Sequence, residues 1–206
     1  MRVRRAGPSA VLLEWDDEAA VFAAYDLLVA ARAHGMLDAA EIVPAARTVL
    51  VDGVTDPDRI RSLVETGATD APSSAAGTLS TTIEIPTTYD GADLDDVAHL
   101  WGTDRAGVVR IHSRTEFRVA FCGFAPGFAY LTGLDARHHV ARRSSPRTRV
   151  PAGTVALAGP YSGVYPSASP GGWQCIGRTE AILFDLEKDP PALLTPGATV
   201  RFVEVR

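Results

Sequence analysis

The first fifteen residues alternate weakly between polar and apolar and end in AVLLEW, which predicts a strand or hairpin. In DDEAAVFAAYDLLVAARAHG the apolar residues then return every three or four positions. Val21, Tyr25, Leu28 and Ala31 make one face of a helix, with Asp16 or Asp17 as its cap and His34–Gly35 as its stop. AEIVPAARTVLVDG reads as two short strands with a turn near Pro44, and DPDRIRSLVETG as a second helix with Pro57 in its first turn. With STTIEIPTTY as a closing strand, this order predicts a split β-α-β, ferredoxin-like α/β unit over residues 1–85. ATDAPSSAAGT is expected to be an exposed loop.

From residue 86 the pattern shortens. YDGADLDDVAHLWGTDRAGVVRIHSR predicts two short helices capped by Asp93 and Thr103. TEFRVAFCGF predicts a strand with Phe117, Val119 and Phe121 in alternation, and TVALAG, GVYP, WQCIGRT, AILFDLE and ATVRFVEV are short apolar pieces divided by Gly and Pro. Such spacing predicts a β-barrel or β-sandwich over residues 86–206. The fold class expected is α+β, in two domains.

Composition narrows the function. No apolar run approaches the roughly 20 residues that span a bilayer, and Ala10–Leu13 is too short for the core of a signal peptide. Cys122 and Cys175 are expected as buried free thiols, so the expected location is cytoplasmic, without membrane contact. A net charge of −5 argues against nucleic acid as a partner. The chain holds a single lysine, Lys188, in a turn, so no lysine is placed for a phosphate loop or a Schiff base. The other nineteen basic residues are arginines, and they are unevenly placed. Residues 136–179 contain no Asp or Glu but six arginines: Arg137, Arg142, Arg143, Arg147, Arg149 and Arg178. That stretch carries +6 in a protein of −5. Guanidinium groups bind carboxylate or phosphate in a bidentate fork, so a site for a small anionic substrate is expected here. The plainer reading is that several of these arginines pair with acids elsewhere in the fold.

Three clusters concentrate Gly and Pro beside aromatics or arginine: FCGFAPGFAYLTGL, PRTRVPAGTVALAG and GVYPSASPGGWQCIGRT. Together with YDGADLDDVA, His112 and the closing PGATVRF, they closely resemble the allophanate hydrolase subunit 1 family. That family includes the B subunit of the bacterial 5-oxoprolinase and the sporulation-kinase inhibitor KipI. The resemblance implies a small α/β N-terminal domain, a cyclophilin-like β-barrel C-terminal domain and a partner chain. That partner is allophanate hydrolase subunit 2, which is the C subunit of 5-oxoprolinase. The resemblance further implies an enzyme subunit, inactive alone, that shares one reaction with the C subunit, and with a separate A subunit. The reaction is the ATP-dependent cleavage of 5-oxo-L-proline to L-glutamate. ATP would be held here or by a partner subunit. A KipI-like inhibitor of a histidine kinase, or a component of an allophanate or urea pathway, is the alternative the same family carries. One departure is visible: many relatives read Gln-Thr before the G-[IV]-Y-P, where this chain has Tyr161-Ser162.

In that light His112 is the expected catalytic residue, a general acid or base; the plainer reading is a helix-terminal histidine satisfying a carbonyl. Substrate binding is expected from Gly123, Phe124, Pro126, Gly127 and Tyr130 in the first cluster, and from Arg147, Arg149, Pro151 and Gly153 in the second. Tyr165, Ser169, Gly171, Gly172, Trp173 and Arg178 complete the set from the third. Arg147 and Arg149 are expected to point to opposite sides, so that one at most faces a given pocket. The aromatic-rich loops, with Trp173 as anchor, are expected at or beside a heteromeric interface. His138 and His139 lack partners at ligand spacing, so no metal site is expected. Without a G-x-S-x-G elbow or an acid–base neighbour for Ser167 or Ser169, a Ser-His-Asp hydrolase is a poor reading.

Overall fold

The computed structural model describes residues 1–54, 56–67 and 82–205; the expected loop ATDAPSSAAGT lies outside them. The chain divides into two compact units, Met1–Leu79 and Ser80–Arg206.

The first unit runs β1 (Arg2–Arg5), β2 (Ala10–Glu14), α1 (Glu18–Ala33), β3 (Glu41–Pro44), β4 (Thr48–Asp52) and α2 (Pro57–Glu65). Asp17 caps α1 by accepting from the Ala19 N–H at 3.2 Å, and Asp56 caps α2 in the same way. The α1 end is closed by His34, whose N–H and ring both reach the Ala30 carbonyl, and by Gly35 in the left-handed region at φ +70°. All four strands are antiparallel, in the order β1-β2-β4-β3. Val11, Leu13, Val49 and Val51 meet Leu28, Ala31 and Ile60 in its core.

The strand expected to close this unit, β5 (Ile83–Thr87), pairs in parallel with β13 (Thr199–Glu204) of the second unit. The edge place in the first sheet is taken by β1 through its hairpin with β2. The divide therefore falls at 79/80, ahead of the expected 85/86.

The second unit continues with α3 (Leu94–Leu100), α4 (Arg105–Arg114), β6 (Phe117–Cys122), β7 (Ala129–Thr132), β8 (Arg147–Val150), β9 (Thr154–Ala158), β10 (Tyr161–Val164), β11 (Ser169–Gly171) and β12 (Gln174–Arg178). Seven strands form one sheet in the order β12-β9-β10-β7-β6-β13-β5. Its two ends meet where Thr88 and Arg178 exchange hydrogen bonds of 2.9 and 2.8 Å, so the sheet is nearly closed and barrel-like. Ile85, Phe117, Val119, Leu131, Leu157, Ile176 and Phe202 fill it, with Val97 and Val108 of the two helices packed on. β8 and β11 pair separately as a two-stranded ribbon.

Three further expectations change. The N-cap of α4 is Asp104, not Thr103: its carboxylate takes the Gly107 N–H at 2.6 Å, a stronger acceptor than a hydroxyl. Phe117 and Val119 are buried as expected, but a bulge between Val119 and Phe121 buries Ala120 as well and turns Phe121 onto Tyr130. AILFDLE is not a strand. Asp185 instead accepts the Glu187 N–H, a local turn that competes with sheet pairing, and only Phe184 bridges, to Ala192.

Candidate functional site

The third glycine-rich cluster enters the barrel through β11 and β12, and the first wraps the end of β6 and the start of β7. Their aromatics meet. Phe128 packs edge-to-face on Trp173 (5.4 Å), Tyr165 (5.5 Å) and Tyr130 (5.0 Å), and Phe124 closes the set at 5.3 Å from Phe128. With Arg142, Pro170, Gly171 and Gly172 these rings line a cleft of about 180 Å³. Thus seven of the expected binding residues (Phe124, Tyr130, Tyr165, Gly171, Gly172 and Trp173 directly, Gly127 through its loop) share one end of the barrel.

Backbone chemistry explains the sequence there. Phe124 is the one non-glycine residue with positive φ among the described residues, at +72°, and it is 62% exposed. A left-handed aromatic this exposed is strained, a pattern that concentrates at binding sites. Gly127, at φ +81°, lies against the Leu183 carbonyl, where a Cβ would come within 2.9 Å. At Gly171 a Cβ would stand 2.3 Å from the Tyr165 hydroxyl. Trp173, by contrast, is only 5% exposed: it is the floor of the cleft and part of a core cluster. Gly123 and Pro126 lie exposed on the same loop.

The second cluster goes elsewhere. Arg147, Pro151 and Arg178 line a separate cleft of about 230 Å³ with Asp90, Gly91 and Cys175. Gly153, at φ +76°, is a corner where a Cβ would meet the Thr179 carbonyl at 2.2 Å, and Ser169 sits half-buried on β11. Arg147 and Arg149 do part company, but simple alternation is not the cause, because residues two apart in a regular strand share a face. β8 opposes Val150 to Ser169 and Arg147 to Gly171, one residue more than its partner, and this bulge separates them. Arg147 turns inward; Arg149 is exposed.

What Arg147 turns towards is a residue whose importance sequence reasoning missed. Asp93 holds the N-cap position of α3, yet its side chain makes no cap bond. It is 1% exposed and accepts from Arg143 (2.6 Å), from both terminal nitrogens of Arg147 (2.9 and 2.7 Å) and from the Cys175 N–H (2.7 Å). Burial alone would raise this carboxyl; the hydrogen bonds from Arg147 and Cys175 and the two guanidinium charges hold it below the ordinary carboxylate range. Arg178 pairs with Asp90 and Arg137 with Asp135. Of the six arginines in the acid-free stretch, four therefore bind carboxylates from outside it. Arg142 and Arg149 make no ion pair among the described residues, and Arg142 lies 6.0 Å over the Trp173 ring.

His112 also departs from expectation. It sits in the last turn of α4, fully buried among Phe117, Phe202 and Tyr89. Its Nδ1 meets the Tyr89 hydroxyl at 2.8 Å and its Nε2 the Ser162 hydroxyl at 2.9 Å. Burial pushes its pKa down to about 3, so the ring is neutral at physiological pH. It lines none of the clefts described here and has no free nitrogen to offer a substrate. The Tyr161-Ser162 departure finds its place here too: Ser162 holds His112 from β10, and Tyr161 packs on Phe121 and Tyr130.

Among the described residues no three His, Cys, Asp or Glu side chains converge to hold a metal ion, and no helix is long and apolar enough to cross a membrane.

Residues 1–194 match the family described as carboxyltransferase domain, subdomain C and D. The B subunit of 5-oxoprolinase from Escherichia coli O157:H7 is 52% identical over 124 residues, which are 59% of this chain and 57% of that protein. The chain thus spans little more than half the length of this curated relative. Among solved structures, a conserved uncharacterized protein from Pyrococcus horikoshii is 34% identical, with 99% of this chain matched to 97% of that one at a TM-score of 0.59. The protein TTHA0988 is 32% identical with a TM-score of 0.76; the match takes in 96% of this chain and 40% of that longer one.

Proposed function

The chain belongs to the carboxyltransferase domain, subdomain C and D, family, and from that premise we propose that it works as the B subunit of an ATP-dependent 5-oxoprolinase. In this reading it acts with a C subunit (allophanate hydrolase subunit 2) and an A subunit. Its nearly closed sheet is a cyclophilin-like barrel, and ATP is consumed by the assembled enzyme. The observation that carries the reading is the aromatic cleft with Arg142, free of a carboxylate, at its rim. 5-Oxo-L-proline is a five-membered ring bearing one carboxylate. The ring suits the cleft that Phe128, Tyr130 and Trp173 line, and the carboxylate matches a guanidinium fork. Its cyclic amide is unreactive until the carbonyl oxygen is phosphorylated; water then adds to the carbon, the ring C–N bond breaks to leave γ-glutamyl phosphate, and a second water releases phosphate and glutamate. This chain contributes positioning and charge to that sequence. His112 supports β10 from below and moves no proton in it.

Phe124, strained and exposed, is the natural place for the partner chain to cover the cleft. The test is reconstitution. The chain alone is expected to show no 5-oxoproline-dependent ATP hydrolysis, and the chain with the A and C subunits to show it. Full activity from the chain alone, or none from the complete set, overturns the proposal.

A further inference from the structure

We propose that the second cleft, the one lined by Arg147 and Arg178, binds a short aliphatic monocarboxylate. Its apolar walls are Ala92, Val150, Pro151 and Ala152, and three of these four are exposed to solvent. At about 230 Å³ the cleft has room for about eight groups of water size. The backbone around it has polar groups that are already paired. The Cys175 carbonyl accepts from the Asp93 N–H at 2.9 Å, and the Gly91 N–H donates to the Ile176 carbonyl at 3.2 Å. The Thr154 hydroxyl donates to the Pro151 carbonyl at 2.8 Å. A polar ligand finds few partners on such walls, whereas a hydrocarbon chain leaves none of these groups unmatched. Among the described residues no aromatic ring lines this cleft, so a planar ring has nothing to stack on. The body that fits is aliphatic.

The charged groups set the other end of the ligand. Asp93 takes both terminal nitrogens of Arg147 and also pairs with Arg143, while Asp90 pairs with Arg178. Three guanidinium groups thus meet two carboxylates, and one positive charge is left over. Arg178 has the capacity to answer for it. Its Nε donates to Asp90 at 2.8 Å, but its two terminal nitrogens have no acceptor among the described residues, and its side chain is 59% exposed. A carboxylate can take those nitrogens while Asp90 keeps the Nε. One uncompensated positive charge matches one carboxylate; a dianion such as phosphate would overshoot it.

This cleft shares no residue with the aromatic one, so its occupancy is read on the chain alone, whether or not reconstitution succeeds. The experiment is a titration of the full 206-residue chain with hexanoate at neutral pH and constant ionic strength, followed by amide NMR. Saturable shifts are expected at Gly91, Ala152 and Gly177, with a dissociation constant of about a millimolar. Acetate, which has the head without the tail, should not saturate. 1-Hexanol, which has the tail without the charge, should bind about three- to fivefold more weakly. Arg178→Gln should weaken hexanoate by a similar factor and leave hexanol unchanged. Ala152→Leu, at an exposed position, fills the cleft and should weaken both. Arg201→Gln removes the same charge from an exposed position of β13 and should leave hexanoate binding as it was. No saturable shift, shifts centred instead on Phe128 and Trp173, hexanol binding as tightly as hexanoate, or equal losses in the Arg178 and Arg201 variants overturns the proposal. So does hexanoate binding that survives Ala152→Leu.

Discussion

Replacing Asp93 by Asn is a near-isosteric change that removes one charge from the most connected polar residue of the second unit. The carboxylate accepts four hydrogen bonds, three of them from guanidinium nitrogens. An amide keeps one acceptor oxygen and turns an NH₂ towards a guanidinium, so about two of the four bonds are lost. Bonds of this charged kind are worth about 1.5–3 kcal/mol each. The arginine side chains are 33% and 27% exposed, and water takes up part of the loss. The net expectation is a destabilisation of about 2–4 kcal/mol. Urea denaturation followed by tryptophan fluorescence reads it, since Trp101 and Trp173 both lie in this unit. The sign with pH is fixed by the depressed carboxyl. Its stabilisation is complete above the unfolded pKa of about 4 and is lost as pH falls through the folded value, so the gap between wild type and variant narrows in acid. Combined with Arg147→Met, the two losses should be less than additive by about 1 kcal/mol or more. A loss under about 0.5 kcal/mol, or strict additivity, refutes the account of Asp93 as the anchor of this segment.

Three other outcomes follow from the same geometry. Buried His112 stays neutral down to about pH 3 while the unfolded chain takes up its proton near pH 6.5, so its contribution is complete above that pH. Stability should then fall on acidification by up to about 1.4 kcal/mol per pH unit, and His112→Gln should flatten that slope; an unchanged slope rejects the assignment. Gly171→Ala places a Cβ 2.3 Å from the Tyr165 hydroxyl, so Tyr165 must shift. A cost of about 1–3 kcal/mol and a changed near-ultraviolet dichroism spectrum are expected, and an unaltered melting curve would contradict the close approach. Trp173→Ala should cost about 3–5 kcal/mol because the ring is cleft floor and core at once, whereas Phe124→Ala, at a 62% exposed ring, should cost less than about 1 kcal/mol. Equal losses would show that the two rings do not divide the work of structure and surface in this way.

The elements that could be read from the sequence were those whose signals are local. The face of α1, its Asp17 cap and its Gly35 stop are set by neighbours within one helical turn, and the structure has them as expected. The partner of β5 was not legible: a five-residue strand carries no mark of which sheet it joins, and here its partner is β13, over a hundred residues further along the chain. The bulges in β6 and β8 were hidden for the same reason, since an extra residue is defined only against the opposite strand. Glycine and aromatic clustering marked loops whose aromatics the fold brings together around one cleft. Burial could not be judged, and it decides between Trp173 as anchor and Phe124 as exposed surface. It also turns His112 from a candidate acid or base into a neutral core residue.

The arginine excess shows how a bulk signal resolves into separate physical roles. A run of six arginines without an acid suggested several cations facing one ligand. Folding brings in acids from the segment just before α3 and from the turn before residue 136: Asp90 to Arg178, Asp93 to Arg143 and Arg147, Asp135 to Arg137. The Asp135–Arg137 pair is local and exposed, whereas the pairings to Asp90 and Asp93 tie segments rich in glycine, which have much conformational freedom to lose, to points far away in the chain. Asp93 does most, because its bond to the Cys175 N–H joins the arginine segment to β12 immediately after Trp173. That anchoring holds the backbone of Arg142 while leaving its guanidinium without a carboxylate. A charge held in place by its neighbours yet unpaired itself is what an anion site requires, since the ordering cost has been met before the ligand arrives. Arg142 was expected only as one of the six arginines of the acid-free stretch and was not singled out for substrate binding, because its own sequence neighbours carry no glycine or aromatic signal. Its position follows from Asp93, and Asp93 looked like a helix cap.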